Sequence, residues 1–286
     1  MKLVVFGCNG QLAQCITSNK NIVEQFSEIK YVSWQQFLDD CLPKICRKTV
    51  VINTFANTNV DYAETYPNSV IQSHLISHMK LLDISKEAKR YVYISSTGVY
   101  GDTKSSPHKE IDCVSPTTVH HMTKYLAEKQ VTDKFSDRAL ILRIGWLFSL
   151  LPLRKNFVSA RITDLMLAKR SNFKLNVFQN QIGNPTFGPD MVDAMFDLLK
   201  TDASGVINVV NSDPISRAKF IFEIAKLVNA DKYINFLPSK ERPQRIAEVA
   251  DNETADGSLI KSILGHEMPH WNIGLGQAVR ALHEKN

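Results

Sequence analysis

Short runs of β-branched and aromatic residues alternate along this chain with longer segments of helical periodicity. The predicted strands are Lys2–Phe6, a weak run at Ile29–Val32, Thr49–Asn53, Arg90–Ser95, Ala139–Ile144 and Val206–Val210. The predicted helices between them are Gln11–Ser18, Asn68–Ala88, Thr117–Phe135 and Pro189–Lys200. Such alternation is typical of βαβ units, whose parallel strands are buried on both faces. The pattern predicts an α/β fold built on a doubly wound parallel sheet.

The pattern becomes less regular after Trp146, which indicates a second structural unit. Its segments are a predicted helix at Asn156–Ala168, a strand-like Leu175–Gln179, a turn at Gly183–Pro185, a helix at Ser216–Val228 and an amphipathic helix ending at His283. We interpret residues 148–184 and 213–286 as a smaller C-terminal substrate-binding lobe over the carboxyl ends of the strands. Residues 1–147 and 185–212 then form the dinucleotide-binding domain of Rossmann type.

A glycine-containing turn directly follows the first predicted strand and begins the first predicted helix. Gly7 suits a tight turn, Gly10 lets a pyrophosphate approach the backbone, and Ala13 permits close packing of helix on strand. The free N–H groups at the start of the helix favour a phosphate. This segment predicts a nicotinamide dinucleotide site. Its candidate residues are Gly7, Cys8, Asn9, Gly10, Gln11 and Leu12.

The ends of the next two strands carry further candidate cofactor residues. The second strand is followed by Ser33 rather than by the acidic residue that would hold the ribose hydroxyls of NAD. The cofactor therefore stays open between NADP(H) and NAD(H), with a slight preference for NADP(H). Polar and small residues after the third strand, Phe55, Ala56 and Asn57, would line the path of the cofactor across the sheet.

Hydroxyl, imidazole and amine groups supply the candidate chemistry. Ser96 follows the fourth strand, where a hydroxyl can hydrogen-bond a substrate carbonyl oxygen as charge develops on it. His120 and Lys124 are four positions apart in a predicted helix and share one face of it. A cation there could hold a ribose and lower the pKa of a group one turn earlier.

Composition excludes several other classes of protein. The chain has 286 residues, a formal net charge of +5 and 44% hydrophobic residues, which is typical of a globular protein rather than a disordered one. No basic cluster with interleaved aromatic residues indicates nucleic acid. Five cysteines without CxxC or zinc spacing favour reduced thiols and no metal site. The apolar runs are too short for a secretion signal or a membrane span, so we expect a cytoplasmic location and no membrane contact.

Taken in order, these elements make the chain resemble the extended short-chain dehydrogenases/reductases, and within them the dTDP-4-dehydrorhamnose reductase family. The likeness covers residue 2 to roughly Ala194, with a fainter similarity to the end. The matching motifs are Val60-Asp61-x-Ala63-Glu64, Ser96-x-x-Val99-Tyr100, Thr123-Lys124 and Gln181-x-Gly183-x-Pro185-Thr186. The last of these is distinctive of the reductase branch.

The resemblance implies NAD(P)H-dependent reduction of the C4 ketone of a nucleotide-linked 4-keto-6-deoxy sugar, in the biosynthesis of surface polysaccharide sugars. It assigns the hydroxyl that binds the ketone oxygen to Ser96 and the ribose-binding lysine to Lys124. The position of the family's catalytic tyrosine holds His120, and that of an asparagine supporting the lysine holds His74. We hypothesise that His120 delivers the proton directly, or that water delivers it, relayed by His120 or His121. Candidates for substrate binding are Thr97, Phe157, Arg161 and Gln181.

The altered tyrosine and asparagine positions leave a second function open. A catalytically impaired member of the family could bind the dinucleotide and regulate or scaffold a partner enzyme. Retention of Ser96 and Lys124 favours the reductase. The nucleotide, the sugar and the stereochemistry at C4 are not fixed by the sequence, and neither is the oligomeric state, for which a homodimer is one candidate.

Overall fold

The computed structural model describes residues 1–153, 155–179, 181–241 and 243–283. Its strands in chain order are β1 (Lys2–Phe6), β2 (Glu28–Val32), β3 (Thr49–Asn53), β4 (Arg90–Ser96), β5 (Ala139–Ile144), β6 (Trp146–Phe148), β7 (Leu175–Gln179), β8 (Ile182–Gly183), β9 (Pro185–Phe187), β10 (Gly205–Val209), β11 (Ile215–Ser216), β12 (Ile234–Pro238) and β13 (Asn252–Glu253). Its α-helices are α1 (Gln11–Ser18), α2 (Lys20–Val23), α3 (Trp34–Leu38), α4 (Val60–Thr65), α5 (Pro67–Ile71), α6 (Ser77–Ile84), α7 (Val119–Phe135), α8 (Phe157–Arg170), α9 (Gly188–Leu198), α10 (Arg217–Leu227), α11 (Ser258–Leu264) and α12 (Trp271–His283).

Six parallel strands form the central sheet in the order β10-β5-β4-β3-β1-β2. The doubly wound parallel α/β sheet that the hydrophobic pattern predicts is thereby confirmed. The chain runs from β1 to β2 on one side and then crosses to β3 on the other. This change of direction opens a crevice at the carboxyl ends of β1 and β3, because the connections leave those ends on opposite faces of the sheet.

Both faces of the sheet are covered by apolar side chains, as the near-continuous hydrophobic strands require. On one face Leu3 and Val5 of β1 pack with residues of α1 and α9. On the other face Val4 and Phe6 pack with residues of α6 and α7. The strand alternation therefore fixes which helices lie on which face.

A separate apolar core lies between α8, α10 and α12. Phe148, Val158, Phe220 and Leu275 belong to it and are fully or almost fully buried. By contrast, Ile260 of α11 packs into the core of the sheet, although α11 falls inside the predicted substrate lobe. The predicted division at residues 148, 185 and 213 stays a prediction. No described helix is both long and apolar enough to cross a membrane.

The helix predicted over Asn68–Ala88 is instead broken into α5, a π-helical turn at Gln72–Ile76 and α6. A π-helical turn inserts an extra residue into the helix and shifts its side chains around the axis, which a search for a uniform 3.6-residue period does not detect. His74 lies within this turn and is buried. The turn therefore sets the direction of His74.

A buried ion pair joins α7 to the sheet. The Arg143 guanidinium on β5 donates to both carboxylate oxygens of Glu128, over 3.0 and 2.7 Å, and both side chains are 3% exposed. The Ser95 hydroxyl donates to the same carboxylate, and the guanidinium carbon lies 4.6 Å from the centroid of the Tyr100 ring. Together, these contacts compensate the burial of two charges.

We predict that Arg143→Met lowers the free energy of unfolding by about 3–5 kcal/mol, because it leaves the Glu128 carboxylate buried without its cation. The control is Asp197→Asn, which breaks an exposed pair with Lys200 and should cost less than about 1 kcal/mol. Urea denaturation followed by circular dichroism measures both. Equal small losses in the two variants would contradict the structural role of the buried pair.

Candidate functional site

A cavity of about 710 Å³ lies at the carboxyl edge of the sheet. It runs from the turn after β1, past the ends of β3 and β4, to the end of β5. Its lining residues are Gly7, Asn9, Gly10, Gln11, Leu12, Trp34, Thr54, Phe55, Ala56, Thr58, Ile94, Ser95, Ser96, His120, Lys124, Ile144, Gly145, Leu147, Leu153 and Lys155. The strand register explains this grouping, since Phe6 pairs with Asn53 and Ser96 with Ile144, so the strands end at one edge.

The turn after β1 has a geometry that requires glycine at its first position. Gly7 has a φ of +98°, and a Cβ atom there would lie 2.4 Å from Oγ1 of Thr54. The Gly10 N–H donates to the Gly7 carbonyl over 2.8 Å. Gly10 is the N-cap residue of α1 and has no side chain to accept a hydrogen bond from the first turn. The N–H groups of that turn are therefore left without a side-chain cap. Such a turn suits an anion.

Aromatic residues form the neighbouring wall of the cavity. The rings of Trp34 and Phe55 pack edge to face with centroids 5.0 Å apart. Ser33, at the end of β2, accepts a hydrogen bond from the Gln36 N–H and caps α3. Cys8, Ser33 and Asn57, which the sequence proposes as cofactor residues, are not among the lining residues. Their contact with a cofactor stays a prediction.

Ser96 is placed as a hydrogen-bond donor toward the cavity. Its oxygen accepts a hydrogen bond from the Gly98 N–H over 3.2 Å, which leaves the hydroxyl hydrogen for a ligand. Thr97, the next residue, is 1% exposed and does not line the cavity. The turn thus directs only the first of the two hydroxyl side chains into the site.

Helix α7 brings His120 and Lys124 into the same cavity. The Thr118 hydroxyl oxygen accepts from the His121 N–H, and Glu64 Oε1 accepts from the Val119 N–H over 2.7 Å, so the start of the helix is fixed. His120 and Lys124 lie one turn apart and are both buried. The structure therefore brings the candidate catalytic residues together with Ser96.

The Lys124 ammonium is held against β4. Its Nζ donates to the Ile94 carbonyl over 2.8 Å and lies 4.9 Å from the centroid of the Tyr93 ring. Burial lowers the pKa of Lys124 to about 8, although the carboxylate of Glu128 acts in the opposite direction. Lys124 is therefore protonated at neutral pH but gives up its proton more readily than an exposed lysine.

His120 is a buried, neutral imidazole. Burial lowers its pKa well below the usual value, and the charges of His121, Lys124 and His74 lower it further, while a hydrogen bond to the main chain of Asn57 opposes them. Its Nδ1 has no hydrogen-bond partner among the residues that the structure describes. A buried polar atom without a partner is unusual in a native structure and suits a ligand in the cavity.

His74 connects the loop after β3 to α7. Its Nε2 accepts a hydrogen bond from the Asn57 N–H over 2.9 Å, so Nδ1 carries the hydrogen and donates to Thr123 Oγ1 over 3.0 Å. The Thr123 hydroxyl donates in turn to the His120 carbonyl. Burial lowers the pKa of His74 to about 3, so this arrangement keeps a neutral ring.

The predicted substrate residues are not among the residues that line the cavity. Phe157 packs under two guanidinium groups, with the Arg217 carbon at 5.1 Å and the Arg161 carbon at 5.6 Å from its ring centroid. Arg217 also lies 4.1 Å from the Trp146 ring, whose N–H donates to Glu253 over 2.6 Å. Arg217 and Glu253 have no motif that marks them in the sequence.

Gln181 has a structural environment. Gln181 is 2% exposed, and its side-chain amide donates to the Ala250 carbonyl. Its main-chain carbonyl accepts from the Arg217 main-chain N–H over 2.8 Å. These contacts hold the start of α10 in place. Direct substrate contact by Gln181, Phe157 or Arg161 stays a prediction.

Several lining residues are not identified by the sequence analysis. Thr54 and Thr58 follow β3, and Lys155 precedes α8 in an irregular segment. The two threonines could be found from their position at a strand end, whereas nothing in the local pattern marks Lys155. Within the described ranges, no group of three or more histidine, cysteine or acidic residues could hold a metal ion.

The chain is similar in sequence to known polysaccharide-biosynthesis proteins and reductases. The chain is 25% identical over 306 residues to the dTDP-4-dehydrorhamnose reductase of Burkholderia thailandensis, covering 99% of each chain. It is 29% identical over 175 residues to the spore coat polysaccharide biosynthesis protein SpsK of Bacillus subtilis, spanning 58% of that protein.

A solved structure shares the whole fold. It is the dTDP-4-dehydrorhamnose reductase of Bacillus anthracis in complex with NADP, with a TM-score of 0.81 and 22% identity over 100% of this chain and 99% of that chain. The family described as RmlD substrate binding domain matches residues 1–284. This chain therefore belongs to the RmlD substrate binding domain family, which agrees with the resemblance that its motifs carry.

Proposed function

We propose that this protein is an oxidoreductase that uses NADPH or NADH to reduce the C4 ketone of a nucleotide-activated 4-keto-6-deoxy sugar, in the biosynthesis of surface polysaccharide sugars. The observation that carries the proposal is one continuous cavity, which joins an anion-binding glycine turn to Ser96, His120 and Lys124. The names of the relatives, dTDP-4-dehydrorhamnose reductase and SpsK, support the substrate class and the pathway.

The residues around the glycine turn fit the cofactor. The unshielded start of α1 and the close approach of Gly7 to Thr54 leave room for a pyrophosphate and none for a side chain. Asn9, Gln11 and Leu12 complete this end, with Phe55 and Ala56 along the path toward Lys124. When bound there, the cofactor supplies the hydride. Cys8, Ser33 and Asn57 remain proposed members of this cofactor site.

At the other end of the cavity, Ser96 donates a hydrogen bond to the ketone oxygen as negative charge develops on it. His120 occupies the position of the family's tyrosine and offers a neutral imidazole to the substrate. Lys124 supplies a positive charge beside both. We place the nucleotide of the substrate toward Phe157 and Arg161, with Thr97 and Gln181 in supporting positions and residues 148–184 and 213–286 as the substrate lobe.

The alternative is a dinucleotide-binding protein without turnover that regulates or scaffolds a partner. The neutral state of His120 favours it, because a neutral imidazole is a poor source of protons. The Ser96 hydroxyl favours the reductase, because its oxygen accepts from the Gly98 N–H and no acceptor for its hydrogen is found among the described residues. NADPH binding without oxidation in the presence of 4-keto nucleotide sugars would support this alternative.

We predict that the purified chain oxidises NADPH or NADH when dTDP-4-dehydrorhamnose or another 4-keto-6-deoxy nucleotide sugar is added. Ser96→Ala should lower kcat by about 10²–10³-fold, because one donor to the developing oxyanion is lost, and leave the Kd for NADPH unchanged. The decrease in NADPH or NADH absorbance measures the turnover, and NMR identifies the product alcohol. Absence of turnover with every 4-keto nucleotide sugar tested would refute the proposed activity.

The glycine turn gives a second prediction. Gly7→Ala places a Cβ atom 2.4 Å from Thr54 Oγ1 and should abolish NADPH binding. Binding is measured by titrating NADPH into the folded variant and into the wild type. Gly205→Ala is the matched control, since Gly205 also has a positive φ, +80°, but nothing within 4 Å of the added atom. Both variants should lose about 1–3 kcal/mol of stability from backbone strain. Equal NADPH affinity in the two variants would argue against a cofactor at this turn.

His120 gives a third prediction. His120→Ala should lower kcat by about 5-fold, which corresponds to the loss of one hydrogen bond of roughly 1 kcal/mol. His120→Tyr should have a higher kcat than His120→Ala, because it introduces a phenol that can act as an acid. Because the pKa of His120 lies well below its usual value, kcat of the wild type should stay level from about pH 5.5 to 7. A loss of activity with a pKa near 6.5, absent in His120→Ala, would instead identify His120 as the titrating acid.

A further inference from the structure

Reduction of a ketone to an alcohol consumes one hydride and one proton. The following inference rests on the proposed function and concerns the source of that proton. Among the described side chains that line the cavity, hydroxyl groups, two carboxamides, one indole, one imidazole and two lysine amines carry exchangeable hydrogens. Carboxamide and indole N–H groups are too weakly acidic to give a proton near pH 7. An alcohol holds its proton too tightly to serve as an acid near pH 7 without a base to replace it.

His120 is poorly suited to give a proton. It is 6% exposed and flanked by the His74 and His121 rings, whose centroids lie 5.5 and 5.1 Å away. A neutral imidazole has a single N–H hydrogen, and one ring nitrogen of His120 is hydrogen-bonded to the main chain of Asn57. Loss of the remaining N–H would leave an imidazolate anion in a buried site, which burial makes very costly.

We propose that Nζ of Lys124 is the proton donor of this enzyme. Lys124 lies one helical turn from His120 and lines the cavity that contains Ser96. An ammonium group has three hydrogens, and one of them goes to the Ile94 carbonyl. The ammonium also lies over the Tyr93 ring, and no second hydrogen-bond partner of Nζ occurs in the described part of the chain, which leaves at least one hydrogen for a ligand. The second amine, that of Lys155, belongs to the segment before α8, whereas Lys124 is hydrogen-bonded to β4, the strand that ends at Ser96.

The step balances as follows. The ketone carbon accepts a hydride from the dihydronicotinamide, and the π electron pair of the carbonyl moves onto its oxygen. That oxygen forms a bond to a hydrogen of Lys124, whose N–H bond breaks and leaves its electron pair on nitrogen as a neutral amine. The amine then takes a proton from water. Ser96 donates a hydrogen bond to the same oxygen throughout and keeps its proton.

The surroundings of Lys124 favour this release of a proton. Burial lowers its pKa to about 8, so the ammonium form dominates at pH 7 and is a stronger acid than an exposed lysine. Glu128 acts in the opposite direction, but its carboxylate is already bound by Arg143 and Ser95. The titratable groups that face Lys124 from its own helix and from the elements packed against it are His120, His121, Glu128, Tyr93, His74 and His78.

The experiment combines a pH profile with two substitutions at saturating NADPH. Wild-type kcat should fall as the pH rises through about 8, because the neutral amine has no proton to give. Lys124→Arg keeps the charge but not a transferable proton, and should lower kcat by about 10²–10⁴-fold with the Kd for NADPH little changed. Lys124→Ala should be rescued by added primary amines, with a rate that depends on the pKa of the amine. Lys129→Arg, an exposed lysine over the Tyr125 ring, is the matched control and should leave the profile unchanged.

A readout without turnover comes from NMR. In protein labelled with ¹³C at the lysine ε-carbon, the signal lost in Lys124→Arg should titrate near pH 8 in the free chain and in its NADP⁺ complex. A Lys124 signal that titrates near 10, or full kcat in Lys124→Arg, overturns the assignment of the proton to Lys124. Turnover whose kcat does not fall as the pH rises through about 8 overturns it as well and leaves the proposed reductase intact. A wild type without any turnover overturns the proposed reductase itself and, with it, this role.

Discussion

The buried polar face of α7 is the constraint on which the site depends. This helix turns His120, Thr123, Lys124 and Glu128 toward the sheet, where water cannot satisfy them. Buried polar groups are stable only when they are hydrogen-bonded or paired. The partners of Thr123, Lys124 and Glu128 come from the π-helical turn, β4 and β5, so these contacts fix the position of the helix. The geometry of the site follows from that requirement rather than from apolar packing alone.

Burial acts in opposite directions on a tyrosine and on a histidine as proton donors. A buried phenol has its pKa raised, and its favoured neutral form still carries the proton that an acid must give. A buried imidazole has its pKa lowered, and its favoured neutral form has already lost that proton. At His120 the same cavity that would suit a tyrosine acid therefore produces a hydrogen-bonding group. This physical difference is why the position cannot be treated as a conservative exchange.

The sequence predicts the parallel sheet and the glycine turn well, because both depend on local patterns. The strands Lys2–Phe6, Thr49–Asn53 and Ala139–Ile144 have the bounds that their apolar runs indicate. Ser96, His120 and Lys124 meet because strand ends share an edge and helical residues four apart share a face. The π-helical turn around His74 has no such period. The burial of Gln181 and the position of Lys155 depend on tertiary contacts, which no local pattern carries.

His74 is linked to His120 through the Thr123 hydroxyl. Its Nε2 is committed to the Asn57 N–H, and its hydrogen is committed to Thr123, so the ring has one tautomer and one orientation. A charge on His74 would break the first contact and would be repelled by the Lys124 ammonium, and it would make a charge on His120 still less favourable. The neutral state of each histidine therefore supports that of the other. Asn57 follows Phe55 and Ala56, which line the cavity, and its N–H is linked through His74 and Thr123 to the His120 carbonyl. This chain of hydrogen bonds therefore fixes the start of α7 relative to the loop after β3.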